Sequence, residues 1–187
     1  MIAACGLALA RRHASAKPQA AHVPYNIRMI RPTTPADTDA LVALTEATGL
    51  FKPIEIAALR EVLDDYHAAN KAAGHFAITC EDADTIVGFA YYAPAPMTEG
   101  TWQLYWIAVR NDRQGKGVGT RLLRHVENDI RSTHHGRVLF IETGSLPHYE
   151  RTRQFYRKHG YEQHALLQDF YAEGDSMVVF RKGLQKP

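Results

Sequence analysis

Arg113-Gln114-Gly115-Lys116-Gly117-Val118-Gly119-Thr120 decides how this chain is read, because a strand-like stretch runs into it and a helix-like stretch runs out of it. Upstream, Trp102-Gln103-Leu104-Tyr105-Trp106-Ile107-Ala108-Val109 is aromatic and β-branched, and Asn111-Asp112 supplies a turn. Downstream, apolar residues recur from Val118 at Leu122, Leu123, Val126 and Ile130, with Arg121, Arg124, Glu127, Asp129 and Arg131 between them. That is the period of a helix with one buried face. The first turn of a helix carries N–H groups without intrahelical acceptors and the positive end of the macrodipole, so an anion is stabilised there. Glycine at 115, 117 and 119 removes the side chains that would hold a diphosphate away from those N–H groups. The stretch predicts a pyrophosphate cradle; the plainer reading is a glycine-rich strand-to-helix turn with no ligand.

Other phosphate loops fit less well. A Walker loop needs Gly-Lys-Ser/Thr at its end, and here Gly119 is followed by Thr120 and Arg121. A dinucleotide fingerprint needs Gly-x-Gly-x-x-Gly at a first strand; these glycines miss the last spacing and lie past mid-chain.

The whole chain allows one substantial domain: 187 residues, 45% hydrophobic and 22% charged, are ordinary for a soluble globular protein. No apolar run is long enough to span a bilayer. The net charge is +2, but residues 1–36 hold Arg11, Arg12, Lys17, Arg28 and Arg31 and no acid, leaving 22 − 5 = 17 bases against 20 acids in the remainder. That slightly acidic remainder argues against a nucleic-acid-binding surface. Cys5 and Cys80, the only cysteines, make neither a disulfide framework nor a zinc site. The ten histidines show no helix-face pair of metal-ligand type, and the adjacent His134-His135 read as a solvated loop, so no metal is expected. A reducing cytoplasmic compartment is the default expectation.

In chain order, residues 1–26 read as a disordered arm or an overlong start, since Met29 stands at the first strand, Ile27–Arg31; residues 27–187 read as one domain. Helices are predicted after Thr34-Pro35 and from Pro53 to Gly74, then a hairpin of 75–80 and 85–92, the strand 102–109, the glycine loop with its helix, a strand at 137–143, a helix at 149–159, and strands at 161–170 and 177–181. The order β-α-α-β-β-β-α-β-α-β-β gives an α/β (α+β) fold: a mixed, mostly antiparallel sheet of six to seven strands with helices on both faces and one parallel crossover through the glycine loop.

Two motifs make this order specific. Gln114, Gly117 and Gly119 form Gln-x-x-Gly-x-Gly, and Phe155-Tyr156-Arg157-Lys158-His159-Gly160-Tyr161 stands where Phe-Tyr-x-x-x-Gly-Phe/Tyr would follow. Together they resemble the GNAT superfamily of acyl-CoA-dependent N-acetyltransferases over residues 27–183. The resemblance implies splayed fourth and fifth strands that receive the pantetheine arm of acetyl-CoA along Ile107, Ala108 and Val109. It places the diphosphate on Gln114, Gly115, Lys116, Gly117, Val118, Gly119 and Thr120. A backbone N–H near Val109 would meet the charge developing on the acetyl oxygen, and Tyr156 would protonate the departing thiolate.

The fourth strand carries no acid, so Glu142 on the fifth is the candidate base; the alternatives are that Glu142 faces a helix and pairs with an Arg, and that water serves in place of a protein base. Relatives often carry Asn seven residues and Ala four residues before the tyrosine; here these are Tyr149 and Thr152, which leaves the contact made by that Asn in question. Tyr91, Tyr92, Trp102, Tyr105, Trp106, Phe170 and Tyr171 make the sheet aromatic, and those beside the cleft would suit a flat or cationic amine. No acidic cluster of the kind that selects a polyamine is visible. The expected function is acetyl transfer from acetyl-CoA to a primary amine, on a small molecule or a peptide, with no nucleic acid or membrane partner; an exposed edge strand leaves a homodimer open. The alternative is a non-catalytic acyl-CoA-binding module.

Overall fold

The helix after the glycine loop is α3, Val118–Ser132, in a computed structural model of the chain that describes residues 29–184. Its predicted stripe is its buried stripe: Val118, Leu122, Leu123, Val126 and Ile130 are at most 1% exposed. Full burial of each such side chain contributes about 1.5–3 kcal/mol relative to exposure, so packing rather than propensity fixes the helix on the sheet.

The sheet has seven strands, β1 (Met29–Pro32), β2 (Phe76–Asp82), β3 (Thr85–Pro94), β4 (Thr101–Val109), β5 (Val138–Gly144), β6 (Glu162–Ala172) and β7 (Asp175–Gly183), in the spatial order β1-β2-β3-β4-β5-β7-β6. Only β4 and β5 are parallel, as expected for strands joined by a crossover helix. Helices α1 (Thr38–Glu46) and α2 (Pro53–Asp65) cover one face, α3 and α4 (Glu150–Lys158) the other. Side-chain alternation divides the core accordingly: Leu104, Ile107, Val109 and Leu139 pack toward α3, while Phe89, Tyr91, Trp106 and Ala108 pack toward Leu41, Leu59 and Leu63. The sheet ends in β1 and β6, and β6 leaves Leu166, Leu167 and Phe170 exposed along its open edge.

Several predicted elements differ in extent. The second helix ends as an α-helix at Asp65; Tyr66–Asn70 widens into a π-turn in which Lys71 N–H donates to Tyr66 O at 3.0 Å. Tyr66 is 2% exposed and meets Tyr91 edge-on, so the wider turn accompanies a ring held in the core. The hairpin turn is Ala83-Asp84, both at positive φ, so β2 runs on to Asp82; β3 starts at Thr85 as predicted and continues two residues past its predicted end, to Pro94. His134 is not a solvated loop residue: it packs between Phe76 and Trp102 and lies 3.4 Å from Asp129, which also accepts from Tyr92. Cys80 is buried, and its thiol is pushed up to about 11 mainly by that burial. The expectations for residues 1–26, for Cys5 and for Ile27 and Arg28 in the first strand lie outside the described residues. Among the described residues, no helix is long and apolar enough to cross a membrane, and no three His, Cys, Asp or Glu side chains are grouped as for a metal ion.

Candidate active site

The site begins where the parallel ladder stops. β4 and β5 pair at Thr101↔Val138, Trp102↔Leu139, Gln103↔Phe140 and Leu104↔Ile141, and no further. Both strands continue, β4 to Val109 along β3 and β5 to Gly144 along β7, so they diverge. The register of β4 against β3 shifts at this same place: Tyr92 opposes Leu104 and Tyr91 opposes Trp106, which makes Tyr105 the extra residue of a bulge. A bulge bends and twists its strand, which is the local cause of the gap.

Register also fixes which backbone groups face the gap. Arg110 N–H donates to Val87 O at 2.9 Å, so in this antiparallel pair residues 110, 108 and 106 turn their N–H and C=O toward β3. Ile107 and Val109 turn theirs the other way, into the gap; Ala108 faces Phe89. Val109 O indeed accepts from Gln114 Nε2 at 2.9 Å.

The glycine loop is held by its own side chains. Gln114 Nε2 also donates to Asn111 Oδ1 at 3.0 Å, and Asn111 Nδ2 donates to Ala47 O at 2.6 Å, so Gln114 braces the loop onto the end of β4. Arg113 pairs with Asp82 at 3.1 Å. Gly115 and Gly117 have φ of 71° and 86°, the left-handed region that glycine enters without a Cβ clash, and Gly117 sits there as the residue preceding α3. A Cβ on Gly117 would meet nothing within 4 Å, so the approach to the helix terminus is open. The first-turn N–H groups of Val118, Gly119 and Thr120 have no intrahelical acceptor. Lys116 is exposed beside them. These residues fit a diphosphate. The Thr120 hydroxyl lies 3.0 Å from His159 Nε2, whose Nδ1 is 2.7 Å from Phe155 O; with Nδ1 donating to that carbonyl, Thr120 is the donor and ties α3 to α4.

Tyr156 is fully buried, in the same cluster as Ile107, Val109 and Val118, with ring centroids 5.6 Å from Phe180 and 5.7 Å from Tyr161. Glu142 lies on the other face of the sheet. No Arg among the described residues pairs with it; its Oε1 accepts from Gln103 Nε2 at 2.9 Å, and burial, opposed by that hydrogen bond, raises its carboxyl above the usual range. Tyr149 is buried, donates to Leu50 O at 3.1 Å and lays its ring against Gly144.

A group that sequence reasoning missed stands beside Glu142. Burial raises the phenols of Tyr105 and Tyr171, and the charge of Glu142 raises both further; Glu55 and Asp175 act on Tyr171 as well. Three carboxylates from α2, β5 and β7, widely separated in the chain, thus act on one phenol. Nothing in their local sequence could have signalled it.

A sheet split between β4 and β5 beside a glycine loop at a helix N-terminus is thus the frame of the candidate site. The family comparisons agree: the acetyltransferase (GNAT) domain matches residues 72–163. A GNAT-family protein of known structure from Desulfovibrio desulfuricans is 36% identical, with 84% of this chain and 99% of that chain covered at a TM-score of 0.80. The chain belongs to the GNAT acetyltransferase family. Two more distant structures share the fold: an aminoglycoside 6'-N-acetyltransferase complexed with coenzyme A (20% identity, 85% of this chain and 98% of that chain, TM-score 0.68) and the ribosomal-protein-S18-alanine N-acetyltransferase of Escherichia coli (15% identity, 85% and 95%, TM-score 0.68). No curated protein sequence matches.

Proposed function

We infer that this acetyltransferase moves an acetyl group from acetyl-CoA to a primary amine by direct attack in a ternary complex. The observation that carries the reading is the gap beside β4, into which Ile107 and Val109 turn their backbone groups within reach of the N-terminal turn of α3. The diphosphate lies on Gln114 through Thr120 in this reading, and the pantetheine arm runs along Ile107 to Val109. The complex of an acetyltransferase of the same fold with coenzyme A supports the donor.

The chemistry then follows. The lone pair of a neutral amine forms the N–C bond to the thioester carbonyl, and the negative charge on oxygen is met by an N–H of Ile107 or Val109; loss of such a donor costs on the order of 3 kcal/mol in acyl transfer. Collapse breaks the C–S bond, sulfur leaves with the electron pair, and Tyr156 supplies its proton from the thioester side of the sheet. The proton lost by the amine goes to Glu142 from the acceptor side. Burial of Glu142 suits it to that task, since a raised carboxyl pKa brings a base nearer to the operating pH.

The test is release of free coenzyme A with a panel of amines, for the wild type and Tyr156→Phe. Turnover of at least one amine by the wild type and a large loss of kcat in the phenylalanine variant are expected. Tight acetyl-CoA binding without turnover of any amine sinks transfer in favour of a ligand-binding module, and full activity of Tyr156→Phe removes the proton-donor role alone.

A further inference from the structure

Asp175, the first residue of β7, has a side chain only 5% exposed. Its Oδ2 lies 3.3 Å from Lys52 Nζ, and its Oδ1 is buried with no hydrogen-bond partner among the described residues. A buried acceptor left without a donor keeps its desolvation cost uncompensated, the more so for a charged group. A carboxylate kept in that condition needs a compensating use.

Its position supplies one. Along β5, Glu142 and Gly144 project to the same face of the strand. A Cβ built on Gly144 would meet Asp175 Oδ1 at 3.3 Å and the Tyr149 ring at 2.7 Å, so the orphaned oxygen lies on the face of Glu142, two residues farther along β5. Two residues of strand correspond to roughly 7 Å, about the reach of a four-carbon diamine. Asp175 and Glu55 flank Lys52, whose Nζ lies 3.3 Å from Asp175 Oδ2 and whose backbone N–H donates to Glu55 Oε2 at 2.7 Å, and the Lys52 side chain is 50% exposed; the charges of Glu142, Glu55 and Asp175 all act on Tyr171. The neighbouring Arg153 is committed to Glu150 and to the carbonyls of Gly144 and Leu146. Tyr105, whose ring centroid lies 5.9 Å from that of Tyr91, adds an aromatic face on this side of the sheet, and such faces attract ammonium groups.

We propose that the acceptor is an aliphatic amine carrying a second cationic group, and that this second ammonium is bound by Asp175 while the reacting nitrogen sits at Glu142. The proposal rests on the acetyl-transfer reading above and adds the acceptor class to it. Lys52 then acts as a resident counter-ion: removing its charge leaves Asp175 more attractive to a substrate cation, and removing the charge of Asp175 abolishes the attraction. A purely structural Lys52–Asp175 tie would instead make both substitutions act in the same direction.

Initial rates at saturating acetyl-CoA, with butylamine, 1,4-diaminobutane and spermidine as acceptors, test it on the full chain. The wild type is expected to show kcat/KM for the diamine about tenfold above that for butylamine. Asp175→Asn should raise the KM of the diamine far more than that of butylamine, and Lys52→Gln should lower it; the second variant changes a half-exposed residue and keeps the test open if the first fails to fold. Equal rates for mono- and diamine in the wild type, or the same shift with both acceptors in either variant, overturn the assignment. Calorimetric titration of the coenzyme A complex with 1,4-diaminobutane separates it from the reaction: binding without turnover keeps the cation site and removes acetyl transfer, whereas absence of binding removes the site.

Discussion

Leu104 stands opposite Ile141 as the last pair of the β4–β5 ladder, and the residue after Leu104, Tyr105, is the extra residue of the bulge against β3. The end of one ladder and the irregularity of the other therefore coincide at one point of β4. Beyond that point the strand has a partner on one side only, and the alternating groups of Ile107 and Val109 are presented to the gap.

Close packing behind this strand should be felt at the site. A Cβ at Gly88 would lie 2.8 Å from Ala108 O and 3.1 Å from Leu122 Cδ1, and the first is backbone that cannot rotate away. Gly88→Ala is expected to destabilise by about 1–3 kcal/mol, as overpacking does, and to weaken acetyl-CoA binding by displacing β4. Chemical denaturation and calorimetric titration with acetyl-CoA measure the two effects.

Gly117 should behave differently. Its φ of 86° is disfavoured for a residue with a Cβ, by about 1–2 kcal/mol, yet no atom stands where that Cβ would go. Gly117→Val therefore should fold with a modest loss, while its methyl groups occupy the approach to the first turn of α3. The KM for acetyl-CoA should rise about tenfold or more, equivalent to at least about 1.4 kcal/mol, with a smaller change in amine KM.

The pH profile should carry the mark of Glu142. As a base it acts ionised, so kcat/KM for the amine should climb as pH rises through its raised pKa, below the separate limb set by the amine itself. Glu142→Gln should remove the lower limb only. Because burial raises the folded pKa, ionised Glu142 detracts from stability above that pKa; the glutamine variant should melt at a higher temperature at neutral pH while turning over more slowly.

Acid stability should depend on a different carboxylate. Arg31 binds both oxygens of Asp37, at 2.7 and 2.9 Å, and reaches Glu81 as well. The guanidinium first, with Thr34 assisting, lowers Asp37 from 3.8 to about 2 against the opposing effect of burial. A depressed folded pKa contributes stability that is present above pH 4 and is lost as pH falls from about 4 to about 2. Asp37→Asn should cost about 2 kcal/mol at pH 7 and little at pH 2, a difference that urea titrations at the two pH values resolve.

The amino-acid sequence alone determined the class of fold, the place of the glycine cradle and the buried face of α3. Those features depend on residues a few positions apart: the apolar spacing from Val118 to Ile130 and the glycines at 115 and 117 are local signals of local geometry. It could not show that Gln114 and Thr120 turn their side chains to Asn111, Val109 and His159, because either residue in a glycine loop reads equally as a ligand contact. It could not show that Glu142 pairs with Gln103 rather than with an arginine, since that contact depends on the parallel register of two strands. Least of all could it show that the charges of Glu55, Glu142 and Asp175 all act on Tyr171. Charges far apart in the chain become neighbours only when helix packing and strand register bring their elements together, and the electrostatic character of the acceptor side is therefore a property of the tertiary structure.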